Sequence, residues 1–209
     1  MASASYSDAL RTPKARASYP NIHVPQKMED GSKKYNITLL ISKGSDTSAL
    51  QKAVLDAATK AWGDKAKEQL NNGVIKSPFL DGDGPQGINK KKGERKEGYA
   101  GHIFIRLSAN EDHPPEVVDK QLQPVMDKTK IYSGCYVYAV VFAYTWENDK
   151  NGKGVSFGFS TVQFAGDGEK LAAGSSGPDG KEFLEAIPDE GAPPAATTTG
   201  KGAGGMFFA

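Results

Sequence analysis

Four stretches of the chain alternate apolar and polar residues with the period of a β-strand, and one stretch between them switches to the period of a helix. In KKYNITLLIS, residues 33–42, Tyr35, Ile37, Leu39 and Ile41 alternate with Asn36, Thr38 and Leu40. In GYAGHIFIRLSAN, residues 98–110, Ile103, Ile105 and Leu107 share one face, and His102, Phe104 and Arg106 share the other. The longest run is 135–146. Cys135, Val137, Ala139, Val141 and Ala143 lie on one face, and Tyr136, Tyr138, Val140, Phe142, Tyr144 and Trp146 on the other. The turn NDKNGKG, residues 148–154, reverses the chain into 155–164, and Gly152 or Gly154 supplies the positive φ it needs. There Val155, Phe157 and Phe159 face one way, and Ser156, Gly158 and Ser160 the other. A glycine inside a strand marks a bulge, a sharp barrel bend or a close approach to the backbone. Gly158 is therefore expected to let the strand coil or to let a ligand reach it. Residues 14–24 read as a further extended segment, interrupted at Pro20.

The helical period occupies residues 46–70, where Leu50, Ala53, Val54, Ala57, Ala58, Ala61 and Trp62 mark one buried face. Ser45, Asp46 or Thr47 caps it and Gly63 ends its first segment. Trp62 on that face reads as a core plug. Residues 71–98 have no period and carry the run Lys90-Lys91-Lys92 with Arg95 and Lys96. A connection of that length is functional or disordered. PPEVVDKQLQPVMD, residues 114–127, is expected to form a short helix from near Pro115, broken before Pro124. Residues 1–13 are expected as a flexible leader, and 167–209 as an acidic, Gly/Pro/Ala-rich disordered tail. Residues 14–166 are left as one mainly β domain with one main helix. Closing its sheet into a barrel removes the exposed edges.

Charge changes this picture. The chain of 209 residues has a formal net charge of +1. Residues 167–209 hold seven acidic and three basic side chains, a net −4, so 1–166 carry +5. A basic body with an acidic tail fits a polyanion-binding surface and a tail that competes for it; an ordinary body with a solubilising tail fits the same numbers. One cysteine, Cys135, excludes an internal disulfide and suits a reducing compartment. No apolar run has membrane-spanning length, and the N-terminus lacks a signal core, so a cytoplasmic location is expected.

Most chemistries find no support. His23, His102, His113 and Cys135 lack zinc-ligand spacing, so no metal is expected. DGDGPQG, residues 81–87, begins like a calcium loop, but Gln86 stands where glycine is needed and Lys92 where glutamate is. No phosphate-cradling glycine motif is present, no cofactor is implied, and no catalytic constellation supports an enzyme. What remains is basic residues interleaved with rings, the means by which single strands are held: cations follow phosphates, and rings stack on bases. The cationic candidates are Arg16, Lys34, Lys90, Lys91, Lys92, Arg95, Arg106, Lys150 and Lys153, with Arg11, Lys14 and Lys33 as further basic residues of the body. The ring candidates are Tyr19, Phe79, Tyr99, Tyr138, Tyr144 and Trp146, with Phe104 and Tyr136 beside them. Any one strand aromatic is more often core than platform, and a lysine run in a glycine-rich loop is usually solvated. Tyr144 and Trp146, at the strand end beside Lys150 and Lys153, are the better stacking candidates.

The segments RASYPNIHVPQ, KYNITLLISK, YSGCYVYAVVFAYTWENDKNGKGVSFGFSTVQF and DGEKLAAG, spread over residues 11–174, resemble a family of phage single-stranded DNA-binding proteins. The resemblance implies an OB-fold, a five-stranded Greek-key barrel with long loops, that coats single-stranded DNA in phage replication and recombination. It also implies action in the host cell cytoplasm and a tail that recruits replication proteins. On that implication the partner-binding tail residues are Glu182, Glu185, Asp189, Glu190, Phe207 and Phe208. Two features depart from the usual pattern. The familiar OB plan puts its helix between the third and fourth strands, whereas here the long helix follows what counts as the second; and where such proteins often end in a strongly acidic tail, here the acidic residues lie upstream of the terminal GGMFFA. A barrel-type scaffold that recruits replication partners without touching nucleic acid is the alternative reading. The sequence leaves self-association open.

Overall fold

A computed structural model of the chain describes residues 4–171 except Glu29. Its strands are β1 (Leu10–Arg11), β2 (Ala15–Lys27), β3 (Lys33–Ser42), β4 (Ile75–Lys76), β5 (Leu80–Asp81), β6 (His102–Asn110), β7 (Glu116–Val118), β8 (Tyr136–Asn148) and β9 (Gly152–Gly166). Two helices, α1 (Ser48–Trp62) and α2 (Ala66–Asn71), lie between β3 and β4. The five long strands pair in the ring β2–β3–β6–β9–β8 and back to β2. All contacts in the ring are antiparallel except β6 with β9, where Leu107 meets Phe157 and Ser108 meets Gly158 in parallel. Ala15 opposite Val137 and Arg16 opposite Tyr136 close the barrel. This is the five-stranded OB plan.

The period-two positions fill the barrel. Ile37, Leu39, Ile41, Ile105, Leu107, Val137, Ala139, Val141, Ala143, Val155, Phe157 and Phe159 are all buried. β8 keeps its alternation from Tyr136 to Trp146 without a slip. β9 does not: Val140 faces Thr161 and Val141 faces Phe159, so Ser160 is a bulge, and Val162 and Phe164 take over the inward side. Helix α1 buries Leu50, Ala53, Val54, Ala57 and Ala58, chiefly against β8. Asp46 accepts the Ser48 amide at its start, and Gly63, at φ +75°, ends it. The helix sits between the second and third barrel strands, the departure visible in the sequence order.

Three segments differ from expectation. The helix expected over 114–127 does not form; within it Glu116–Val118 is β7, parallel to β9 with Val117 opposite Val162. Val117 and Val118 are β-branched and both buried, which favours a strand against the barrel edge. Residues 5–12 of the expected flexible leader run antiparallel along β8. Tyr6 bridges to Tyr144, the Ser7 amide donates to the Ala143 carbonyl at 2.9 Å, and Leu10 pairs with Val141. Their hydrogen bonds supply the partners that the outer edge of β8 would otherwise lack. The long loop 71–98 is folded and covers part of the barrel wall. With Leu80 packed beside them, Leu40, Tyr99, Phe104 and Leu171 form a second apolar cluster outside the barrel. Leu171 is held by its amide on the Ser133 carbonyl, so the packed chain continues past residue 166.

Candidate nucleic-acid interface

The outward row of the β8–β9 hairpin pairs large rings with residues that have little or no side chain. Phe142 lies opposite Gly158, Tyr144 opposite Ser156 and Trp146 opposite Gly154. A Cβ at Gly158 would overlap the Phe142 ring, and one at Gly154 would overlap the Trp146 indole. The two glycines are therefore seats for rings, which is the close approach that the mid-strand glycine signalled. The Trp146 Nε1–H donates to Ser156 Oγ at 2.9 Å, and the Tyr144 and Ser108 hydroxyls are 3.4 Å apart. Lys76 Nζ stands 5.9 Å from the Trp146 ring. The docked N-terminal segment adds Tyr6, whose ring centroid is 6.0 Å from Phe142 and 6.3 Å from Tyr144. Tyr6 is 55% exposed although its backbone is fixed on β8. Tyr6, Phe142, Tyr144, Gly158 and Ser108, with Lys34, Asn110 and Ser160, wall a groove of about 700 Å³, and Trp146 lies beyond it on the same outward row of β8.

Cations border the rings on β3 and β6. Thr38 pairs with Arg106, Asn36 with Ser108 and Lys34 with Asn110, which sets a polar and basic strip beside the groove. Arg106 is exposed. Burial pushes the Lys96 ammonium below its usual range, and the Arg106 charge adds to the shift. Two cations are thus held where they repel each other, a local field that favours an anion. Among the described residues, no ion pair takes up Lys34, Lys76 or Arg106. Tyr19 stands at the break in β2 pairing between Ser18 and Asn21, 41% exposed and at φ +48°.

Of the sequence candidates, Lys34 and Tyr144 line the groove, Trp146 continues the same outward row of β8, Arg106 lies on β6 in the strip beside it, and Tyr19 is on β2 beyond β3. Lys150 lies in the exposed β8–β9 turn and Lys90, Lys91 and Lys92 in an exposed turn of the long loop. Others have different work. Tyr99 is 2% exposed, edge-on to Phe104 with its hydroxyl 3.3 Å from Ser18 Oγ, so its faces are not open to a base. Phe79 is half-buried, edge-on to Phe157 at 5.8 Å. Arg95 clamps the loop through the Gly82 carbonyl and Asp83, and Arg16 binds the Gly134 and Glu169 carbonyls. Lys153 donates to Gln69 at 2.7 Å and covers Trp62 rather than the rings. Tyr138 lies farther down β8, beneath the Arg11 guanidinium. The tail residues Glu182, Glu185, Asp189, Glu190, Phe207 and Phe208 lie outside the described residues. Phe142 and Tyr6 join the site without having been picked out. Phe142 shared its alternation with Tyr144, whereas nothing in residues 1–13 marked Tyr6.

The face offers rings that can stack and cations that can neutralise phosphate. No cluster of three or more His, Cys, Asp or Glu placed to hold a metal occurs among the described residues. Cys135 is buried, and that burial pushes its thiol above the usual range.

Residues 9–191 match the model of the family described by the Enterobacter phage Enc34 ssDNA-binding protein. The chain belongs to this family. A relative, putative protein p50 of Acyrthosiphon pisum secondary endosymbiont phage 1, is 32% identical over 76% of this chain and 84% of its own length. The Enc34 family protein solved in complex with ssDNA matches at a TM-score of 0.55 and 24% identity, over 78% of this chain and 89% of that one. The single-stranded DNA-binding protein gp2.5 of bacteriophage T7 matches at a TM-score of 0.54 and 15% identity, over 91% of this chain and 100% of that one. The structural likeness carries the fold, an OB barrel, and in this chain the helix follows the second barrel strand.

Proposed function

We propose that this chain is a sequence-nonspecific single-stranded DNA-binding protein that coats single strands in the host cytoplasm during phage replication and recombination. The single observation that carries the reading is the pair of glycine-seated rings, Phe142 and Trp146, beside a basic strip on the barrel face. Bases stack on Phe142, Tyr144 and Trp146 and on the margin ring Tyr19, at roughly 1–3 kcal/mol each. Phosphates run along Arg106, Lys96, Lys34 and Lys76, with Lys150 and the Lys90–Lys92 turn as outer contacts. Every base has a π-face, so little sequence preference follows. The protein acts by binding alone and catalyses nothing. The binding domain spans residues 5–171, and the acidic residues beyond it compete for the basic face and recruit replication proteins.

Tryptophan fluorescence tests this directly. In a Trp62→Phe background the remaining tryptophan, Trp146, is the reporter. Titration with oligo(dT) should quench it, with a matched duplex a poor competitor and binding weakening as salt rises. Absence of both quenching and binding at low salt would return the chain to the scaffold reading.

A further inference from the structure

The outward row of β8 does not end at the groove. Below Phe142 it continues through Val140, Tyr138 and Tyr136 with the same alternation, and Tyr136 to Trp146 is ten residue steps, roughly 33 Å of strand. The N-terminal segment runs antiparallel beside it, so successive side chains of that segment meet successive rings. Where Tyr6 meets Phe142 and Tyr144, Arg11 lies 4.7 Å from the Tyr138 ring centroid and Lys14 lies 4.6 Å from that of Tyr136. From the other side come Lys120, after β7, and Lys130, at 6.0 and 4.4 Å from the Phe164 ring. Arg11, Lys14, Lys120 and Tyr138 line a shallow groove of about 310 Å³ with Gln163.

These cations are not consumed internally. Among the described residues no ion pair takes up Arg11, Lys14, Lys120 or Lys130. Asp119, the acidic neighbour of Lys120, turns its carboxylate onto the amides of Gln121 and Gln123. A guanidinium held over a ring keeps its charge and its N–H donors available, which suits a phosphate, and its planar group can also take a stacked base.

We propose that Arg11, Lys14 and Lys120 around Tyr138 form a second subsite for the same single strand, continuous with the ring groove along β8. The inference rests on the single-strand reading above and adds to it a length. A short strand is satisfied by the upper groove, and a longer one also occupies the lower patch. An acidic protein segment is the competing occupant. Single-stranded DNA is favoured because the patch repeats the alternation of ring and cation and shares a strand with the upper rings.

The test is the triple variant Arg11→Gln/Lys14→Gln/Lys120→Gln, all at exposed positions, titrated with oligo(dT) of about 6 and about 16 nucleotides, near the two ends of the range an OB-fold covers. The short oligonucleotide should bind as to the wild type. The long one should bind more weakly, and its log–log salt slope should become shallower by about 2, at about 0.7 per phosphate. Lys120→Gln alone, on a separate segment, should lower the slope by about 0.7 and guards against a folding defect in the triple variant. Equal losses on both lengths, or none on the longer, would overturn the subsite. So would unchanged DNA binding with lost affinity for the peptide PDGKEFLEAIPDEG, which would assign the patch to an acidic protein segment. If the wild-type chain binds neither oligonucleotide, it is the single-strand reading itself that fails.

Discussion

The barrel wall carries outward-facing aromatics at two places, and their fates are opposite. On β3 and β6, Leu40 and Phe104 point outward yet are fully buried, because the loop with Leu80 and Tyr99, together with Leu171, closes over them. On β8, Phe142, Tyr144 and Trp146 point outward and stay half-exposed, flanked by Tyr6, Lys76 and Ser156 instead of a lid. Alternation fixes which way a side chain points; it does not fix what covers it. The covered patch is a satellite core that anchors the loop, and among the described residues no comparable cover lies over the β8 rings.

Four experiments break or sharpen that contrast. Phe104→Ala should cost about 3–5 kcal/mol of unfolding free energy in urea, while the folded fraction keeps its affinity for oligo(dT). A loss of affinity well inside the folded baseline would erase the distinction between the patches. Trp146→Ala should cost roughly 1–3 kcal/mol of binding, about 5- to 150-fold in Kd, with a smaller effect on stability than Phe104→Ala. If stability suffers more than binding, Trp146 belongs with the covered set. Gly158→Ala should displace the Phe142 ring from its seat, costing up to about 1–3 kcal/mol through overpacking and weakening binding; a variant equal to wild type in melting and titration would show that the ring does not need its seat. The smallest effect concerns Tyr99. Burial raises its phenol above the usual range, so folding favours the neutral form. Its contribution is fully present below the ordinary phenol value of about 10 and is lost as pH rises from there through the raised value of the folded state. Tyr99→Phe should flatten that part of the alkaline stability profile, and in the wild type Tyr99 should be among the last phenols to ionise by ultraviolet absorbance.

The same contrast explains what was legible beforehand. The barrel core, the β8–β9 hairpin and α1 with its stop at Gly63 were readable because period and punctuation are local properties. The β identity of 116–118 was not, since three residues acquire a strand only from the partner they dock on. The ordered leader was missed for the same reason: residues 5–12 have no apolar rhythm and are fixed by hydrogen bonds to β8. At the site, Tyr144, Trp146, Lys34 and Arg106 were recognisable as rings and cations on strands. Tyr99 was misjudged because the lid above it is made by residues distant in the chain, and Arg95 because its guanidinium closes a turn. Gly158 carried the most information per residue, and its meaning became specific only with Phe142 opposite it.

The seats at Gly154 and Gly158 bear on motion as well as affinity. A ring resting on bare backbone has few rotamers to lose, and an immobilised side chain otherwise costs about 0.5–1.5 kcal/mol on association. The platform is thus set before a strand arrives. On the proposed reading each seated ring greets any base alike, so a strand that shifts by one nucleotide exchanges one stack for an equivalent one. A protein bound this way can creep along its strand without letting go, making room for a neighbour or for the machinery that must follow.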